Sequence, residues 1–236
     1  MASTLISLLP LIIGSAVVPI QIVLVLLMLT SEEQPVSKAL GFVGGMTAVR
    51  IVQGILFGFI FRGSANASEG SDGSGWVVST LLTVLGILLL TTAWRSWSGE
   101  EDPDAPPPKW LTMTDHMSPL TAIGLGAGLV LISPKMWVFT LGAIGEIGDA
   151  VLGQPASTLA YLLFVLLAQS LLLIPIVVRL LVPDRSDALL TATSDWLEKY
   201  NKAIVIAVSL VFGLFFLYGG ISGFFQSNPE RVSTGT

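Results

Sequence analysis

Met117-Ser-Pro-Leu-Thr-Ala-Ile-Gly-Leu-Gly-Ala-Gly-Leu-Val-Leu-Ile-Ser133-Pro134 contains no acid or base, and the next residue is Lys135. An apolar, charge-free run of about 18 residues is long enough to cross a ~30 Å hydrocarbon core as a helix. A soluble helix of that length would show water a polar stripe at a 3.6-residue period, and this one is apolar all round. Residues 2–31, 73–94, 150–178 and 203–229 are likewise free of charge. Over the 236 residues, 53% are hydrophobic and only 11% charged, with a mean hydropathy of +0.81. A soluble domain carries roughly 25% charged residues. The sequence therefore predicts an all-α integral membrane protein.

Composition also narrows the chemistry. There is no cysteine, which excludes disulfides and thiolate metal sites. The net charge of −5 arises in short loops, and no basic run points to nucleic acid. No His/Asp/Glu cluster, Gly-rich phosphate loop or Ser–His pairing is visible, and the single histidine, His116, lies in a polar linker. The expectation is a protein that is not an enzyme and carries no cofactor or metal. The first apolar run is about twice the length of a signal-peptide core and has no Lys or Arg before Lys38, so it reads as a retained helix.

The expected crossings are 4–29, 38–61, 76–97, 119–147, 156–181 and 202–225. A Gly/Ser-rich loop covers 62–75, and an acidic stretch containing Pro106, Pro107 and Pro108 joins two halves. The domain division is 1–97, linker 98–117, and 118–236. Lys38, Arg95, Lys109, Arg179, Arg185, Lys199 and Lys202 fall after odd-numbered crossings, against Arg62 and Arg231 on the other side. Lys and Arg near helix ends mark the cytoplasmic face, so both termini are expected outside. Trp76, Trp94, Trp97 and Trp110 stand at interfacial positions. Residues 184–202 suit either a helix on the inner membrane surface, with Leu189, Trp196 and Leu197 on one side, or a structured loop.

The halves resemble each other. Residues 82–92, Leu-Thr-Val-Leu-Gly86-Ile-Leu-Leu-Leu-Thr-Thr, parallel residues 209–219, Ser-Leu-Val-Phe-Gly213-Leu-Phe-Phe-Leu-Tyr-Gly. Gly14-Ser-Ala-Val-Val-Pro19-Ile-Gln21 parallels Gly128-Leu-Val-Leu-Ile-Ser133-Pro134-Lys135. Three crossings per half make the halves inverted with respect to each other. Inverted repeats with interrupted helices are a secondary-transporter architecture with the substrate site at mid-membrane.

Two charges fall at mid-membrane positions, Arg50 and Lys135. Each costs roughly 2.5–3.5 kcal/mol at a helix centre on insertion scales, so such residues face a cavity or a partner. Thr47, Gln53, Gly54 and Gly58 share the Arg50 face by i+3 and i+4 spacing. Pro19 and Pro134 each remove a backbone donor and free a carbonyl one turn earlier, and Gln21, Ser133 and Gln169 stand at the same depth. Without a carboxylate at that level, the two cations point to an anionic group on a cargo. The bland alternative is that they bond to the freed carbonyls and only hold the bundle together. Glu146 and Asp149, about three turns or more beyond Lys135, are candidates for an outer gate or proton site. The small-xxx-small glycines at 41, 44, 45, 54, 58, 124 and 128 are packing signals, within one chain or across a homodimer.

Three features carry a family resemblance: the proline-interrupted first helix, Lys38-Ala-Leu-Gly41-Phe-Val-Gly44-Gly45 at the start of the second, and Ser133-Pro134-Lys135 in the fourth. The chain resembles the LysE exporter superfamily, and within it the GAP family of sulfolipid- or peptidoglycolipid-addressing, Sap-like proteins. Ser133-Pro134-Lys135 is similar to the Asn-Pro-Lys motif of amino-acid exporters, with serine for asparagine. Val18-Pro19-Ile20 replaces their Pro-Gly-Pro, which points away from amino-acid export. The resemblance implies a bacterial inner-membrane exporter of a small acidic or zwitterionic solute or an envelope glycolipid, working among membrane lipids. A non-transporting scaffold for an envelope-lipid complex is the alternative.

Overall fold

The computed structural model describes residues 2–67, 73–99, 117–150 and 152–226. Among these residues there are nine helices and no strand: α1 (Ala2–Ala16), α2 (Pro19–Thr30), α3 (Pro35–Ala67), α4 (Gly73–Ser98), α5 (Pro119–Ile132), α6 (Pro134–Asp149), α7 (Ala156–Ala168), α8 (Ser170–Leu181) and α9 (Pro183–Gln226). Three contain stretches able to cross a membrane alone, at Pro35–Gly58, Ser79–Ser98 and Lys199–Gly223. The pairs α1/α2, α5/α6 and α7/α8 reach that length together, bent by 58°, 74° and 62°. With each bent pair taken as one crossing the chain spans the membrane six times, along the expected segments.

Two breaks fall at prolines. Pro19 and Pro134 each begin a new helix, where the missing N–H has no intrahelical partner to lose. The preceding residues, Val18 (φ −118°, ψ 98°) and Ser133 (φ −83°, ψ 110°), are extended, as a following proline requires. The Trp137 indole N–H donates to the Leu131 carbonyl at 2.8 Å across the second break. The third break, at Gln169 (φ −107°, ψ 3°), separates α7 from α8. Sequence reading treats this crossing as one helix, because Pro175 lies further on, inside α8. The Gln169 N–H instead bonds three residues back, to Leu166.

Glycines set the closest helix contacts. A Cβ on Gly45 would overlap the Ile123 carbonyl oxygen, and one on Gly126 the Phe42 oxygen. Gly41 faces Pro119 and Ile123, while Gly45 faces Ile123 and Ala127; partner numbers rise together, so α3 and α5 run parallel. Between α4 and α9 they run opposite ways, with Gly223 on Ser79, Gly220 on Thr83, Gly86 on Leu217 and Gly213 on Leu90. The Lys202 ammonium, donating to the Gly99 carbonyl at 2.7 Å, continues that antiparallel register. Gly44, Gly58, Gly124 and Gly128 face open space.

Two apolar cores flank the breaks. One gathers Leu24, Leu29, Phe42, Met46, Leu172 and Ile176; the other gathers Leu8, Leu11, Leu89, Phe139, Phe164 and Phe216. Along the first and fifth crossings, the change from one core to the other occurs at the break itself. Val211, Leu214, Phe215 and Tyr218 on α9 are exposed, as residues bathed in acyl chains are, and Trp94 and Trp97 are exposed near the end of α4.

Several expectations are corrected. Residues 184–202 are helical but continuous with the sixth crossing, and their inward stripe is Ser186, Leu190, Ser194 and Leu197. Leu189 and Trp196, expected on a membrane-facing side, are exposed, while Leu197, expected with them, is buried. Lys38, expected as a charge at the inner end of the second crossing, is in the first turn of α3 but 1% exposed, and donates to the Ser31 hydroxyl at 3.2 Å. The helix starts at Pro35, which draws Lys38 into the bundle. The 62–75 loop is shortened by helix on both sides, since α3 reaches Ala67 and α4 starts at Gly73. Lys109, Trp110, His116, Arg231, most of the 98–117 linker, and the Arg62, Trp76 and Arg185 side chains lie outside the described residues.

Gly45→Val should lower the melting temperature of the detergent-solubilised protein, because over-filling a packed contact costs about 1–3 kcal/mol. Gly128→Ala, facing open space, should leave it unchanged or raise it slightly, by roughly 0.5–1 kcal/mol of helix preference. Thermal unfolding followed by tryptophan fluorescence reads both.

Candidate functional site

Position 50 lies midway along a helix whose other side meets lipid. Val52, Ile55 and Leu56 are exposed, while Arg50 and Gln53 are buried, so the helical period turns the guanidinium into the bundle. Arg50 is 0% exposed. Its Nη2 donates to the Ser15 hydroxyl at 2.8 Å and approaches the Met136 sulfur at 3.4 Å. Its Nε and Nη1 have no partner among the described residues. No carboxylate among the described residues pairs with it.

The partners come from the broken crossings. Ser15 is in the last turn of α1, and Met136 in the first turn of α6. Gln21, in the first turn of α2 and 2% exposed, directs its Nε2 at the same Met136 sulfur at 3.5 Å. Gln169, at the third break, accepts a hydrogen bond from Thr47 at 3.1 Å. One turn beyond Arg50 and Met136, the Gln53 amide and the Thr140 hydroxyl are buried without partners. Arg50 therefore does not bond to the carbonyls freed by the prolines; a hydroxyl and a thioether hold it.

Tyr161 is the member that sequence reading missed. Its ring lies over Gly54, where a Cβ would overlap it, and its hydroxyl donates to the Arg50 carbonyl. No spacing links positions 161 and 50, and the only signal was a glycine one turn from a buried charge.

The remaining candidates stand apart from this cluster. Lys135 is half-buried. Met136, next to it in α6, faces Arg50, and successive helical residues diverge by about 100°. Ser133 joins α5 to α6 and is partly exposed, its hydroxyl making no capping bond to α6. Glu146 is half-buried and Asp149 exposed, both in the final turn of α6.

The family pattern described as SfLAP, the Sap, sulfolipid-1-addressing protein, matches residues 8–222. The chain belongs to that family. No curated protein and no solved structure matches it. The match to the Sap family runs from α1 into α9, through all the crossings and every residue of the polar layer.

In this Sap-family protein the enclosed layer holds a guanidinium, an amide and a hydroxyl with unpartnered atoms among the described residues. A buried polar group without a partner costs about 1–3 kcal/mol, more when charged. Replacing a poorly compensated buried charge with an apolar group of similar volume is often stabilising, by about 1–4 kcal/mol. Arg50→Met should therefore raise the melting temperature while abolishing whatever activity depends on the guanidinium. A purely structural arginine would give the opposite sign, a fall in melting temperature on substitution.

Proposed function

We propose that this Sap-family membrane protein exports an anionic cargo, either an acidic lipid headgroup with its lipid or a small acidic or zwitterionic solute, across the inner membrane. The observation that carries this reading is the Arg50 guanidinium, wholly enclosed at the level of the helix breaks, with two nitrogens unpartnered and no carboxylate beside it. A charged group in low dielectric needs a counter-charge or a full set of acceptors. A cargo sulfate, phosphate or carboxylate supplies both. Gln21 and Gln169 line the same layer, and Lys135 with Ser133 stands at the fourth-crossing break.

The transport mechanism is alternating access between two inverted three-crossing halves of LysE type. Reciprocal packing supports it. Gly86 lies against Leu217 and Gly213 against Leu90, and in the aligned segments Gly86 corresponds to Gly213 and Leu90 to Leu217. Likewise α4 packs on α6, and α9 packs on α2, each being the third crossing of one half against the second part of the other half's first crossing. The enclosed site is then the occluded state of the cycle. An open apolar groove of about 420 Å³, lined by Ile87, Leu90, Thr91, Trp94 and Arg95, lies on the outer side of α4. The positive-inside bias of the loops supports an orientation with both termini outside.

Purified protein in liposomes, with a fluorescent sulfated glycolipid or a radiolabelled acidic amino acid, tests this. Wild type should accelerate cargo movement, and Arg50→Gln should reduce it by more than tenfold, since loss of a charged hydrogen-bonding partner is worth about 1.5–3 kcal/mol. Lys135→Ala should give a smaller loss. Unchanged movement in both variants, with loss of co-purifying envelope-lipid enzymes, would establish the scaffold role instead.

A further inference from the structure

Two strong donors converge on one weak acceptor. The Arg50 Nη2 and the Gln21 Nε2 both point at the Met136 sulfur, at 3.4 Å and 3.5 Å. A thioether sulfur is a poor acceptor, and neither contact satisfies a guanidinium or an amide N–H. Within one helical turn, the Gln53 amide and the Thr140 hydroxyl are buried and unpartnered, as are the Nε and Nη1 of Arg50 itself. Every one of these groups except the sulfur is suited to an oxyanion.

We propose that the Met136 sulfur is a place-holder at the seat of an anionic oxygen, and that the site accepts a sulfate-, phosphate- or carboxylate-type oxyanion when the Met136 side chain swings aside. This deepens the transport reading and rests on it for the identity of the occupant as cargo. Methionine suits the task physically. Its three rotatable bonds let it leave an irregular site cheaply, while its volume excludes water from the seat when no anion is present. Displacing the sulfur frees the Nη2 hydrogen that a two-pronged contact needs, because Nη2 otherwise divides its two hydrogens between Ser15 and Met136. A guanidinium then meets the anion through a pair of parallel bonds, the geometry that makes arginine–oxyanion pairs strong. Gln21 adds a third donor from the other side of the break. Met136 is a gate on the seat, and Arg50 and Gln21 are its binding groups.

The test uses full-length protein in detergent, with Met136→Glu and Met136→Ala in the wild-type and Arg50→Gln backgrounds. The probes are inorganic sulfate and a sulfated galactosylceramide in micelles, read by thermal shift and by tryptophan fluorescence titration. Met136→Glu tethers a carboxylate at the seat, so it should raise the melting temperature when Arg50 is present, lower it in Arg50→Gln, and abolish binding of both probes. Met136→Ala, with the seat open, should bind about tenfold more tightly than wild type, the loss of one competing contact being worth that factor. Sulfate binding by itself assigns the seat to a soluble oxyanion, and binding of the glycolipid alone assigns it to a headgroup. A fall in melting temperature with Met136→Glu in both backgrounds overturns the place-holder. If wild type binds the probes, Arg50→Gln does not, and Met136→Glu is destabilising, the transport reading stands and the seat falls. If no variant binds either probe but Met136→Glu stabilises only with Arg50 present, the seat stands and the transport reading falls.

Discussion

A guanidinium enclosed at the middle of a membrane bundle constrains everything around it. Water cannot solvate it there and acyl chains cannot bond it, so the surrounding helices must bring polar groups to its level. Broken helices supply them, because each break leaves backbone and side-chain polar groups that hydrocarbon would not tolerate either. The breaks at Val18, Ser133 and Gln169 and the charge at Arg50 therefore solve one problem together. Ser15, Gln21, Met136 and Gln169 all lie within three residues of a break, and all but Met136 carry a hydrogen-bonding oxygen or nitrogen. The division of the apolar interior into two cores, with the polar layer between, follows from the same requirement.

The crossings and two of the three breaks were legible in the sequence because their causes are local. An uncharged run of sufficient length needs a membrane wherever it occurs, and proline disrupts a helix whatever surrounds it. The Gln169 break was not legible, since nothing near it forbids a helix. Lys38 reads as a charge at the inner end of the second crossing, but the helix begins at Pro35 and draws the ammonium to the Ser31 hydroxyl.

Arg50 was legible as an inward charge from its own helix, by the glycines and polar residues one turn away. Its partners were not, because Ser15 and Met136 have no sequence relation to it, and a methionine gives no signal of polar function. The glycines divide into two groups. Gly41, Gly45, Gly86, Gly126 and Gly213 lock helix pairs together, while Gly44, Gly124 and Gly128 share their spacing pattern and touch nothing. Spacing identifies a smooth helix face, and only the partner decides whether that face is used.

The choice of a thioether against the guanidinium has an energetic logic. Had evolution placed a carboxylate where Met136 stands, the ion pair would be strongly coupled and its rupture would cost several kcal/mol. An incoming anion would then compete with a permanent internal one. A serine or glutamine acceptor would satisfy the guanidinium less completely but hold it in one orientation. A sulfur excludes water and leaves the charge nearly unspent, so the instability of the empty layer becomes binding free energy for an occupant. Site and fold are thus opposed: the packed glycine contacts between α3 and α5 and between α4 and α9 must be strong enough to tolerate a polar layer kept deliberately unsatisfied.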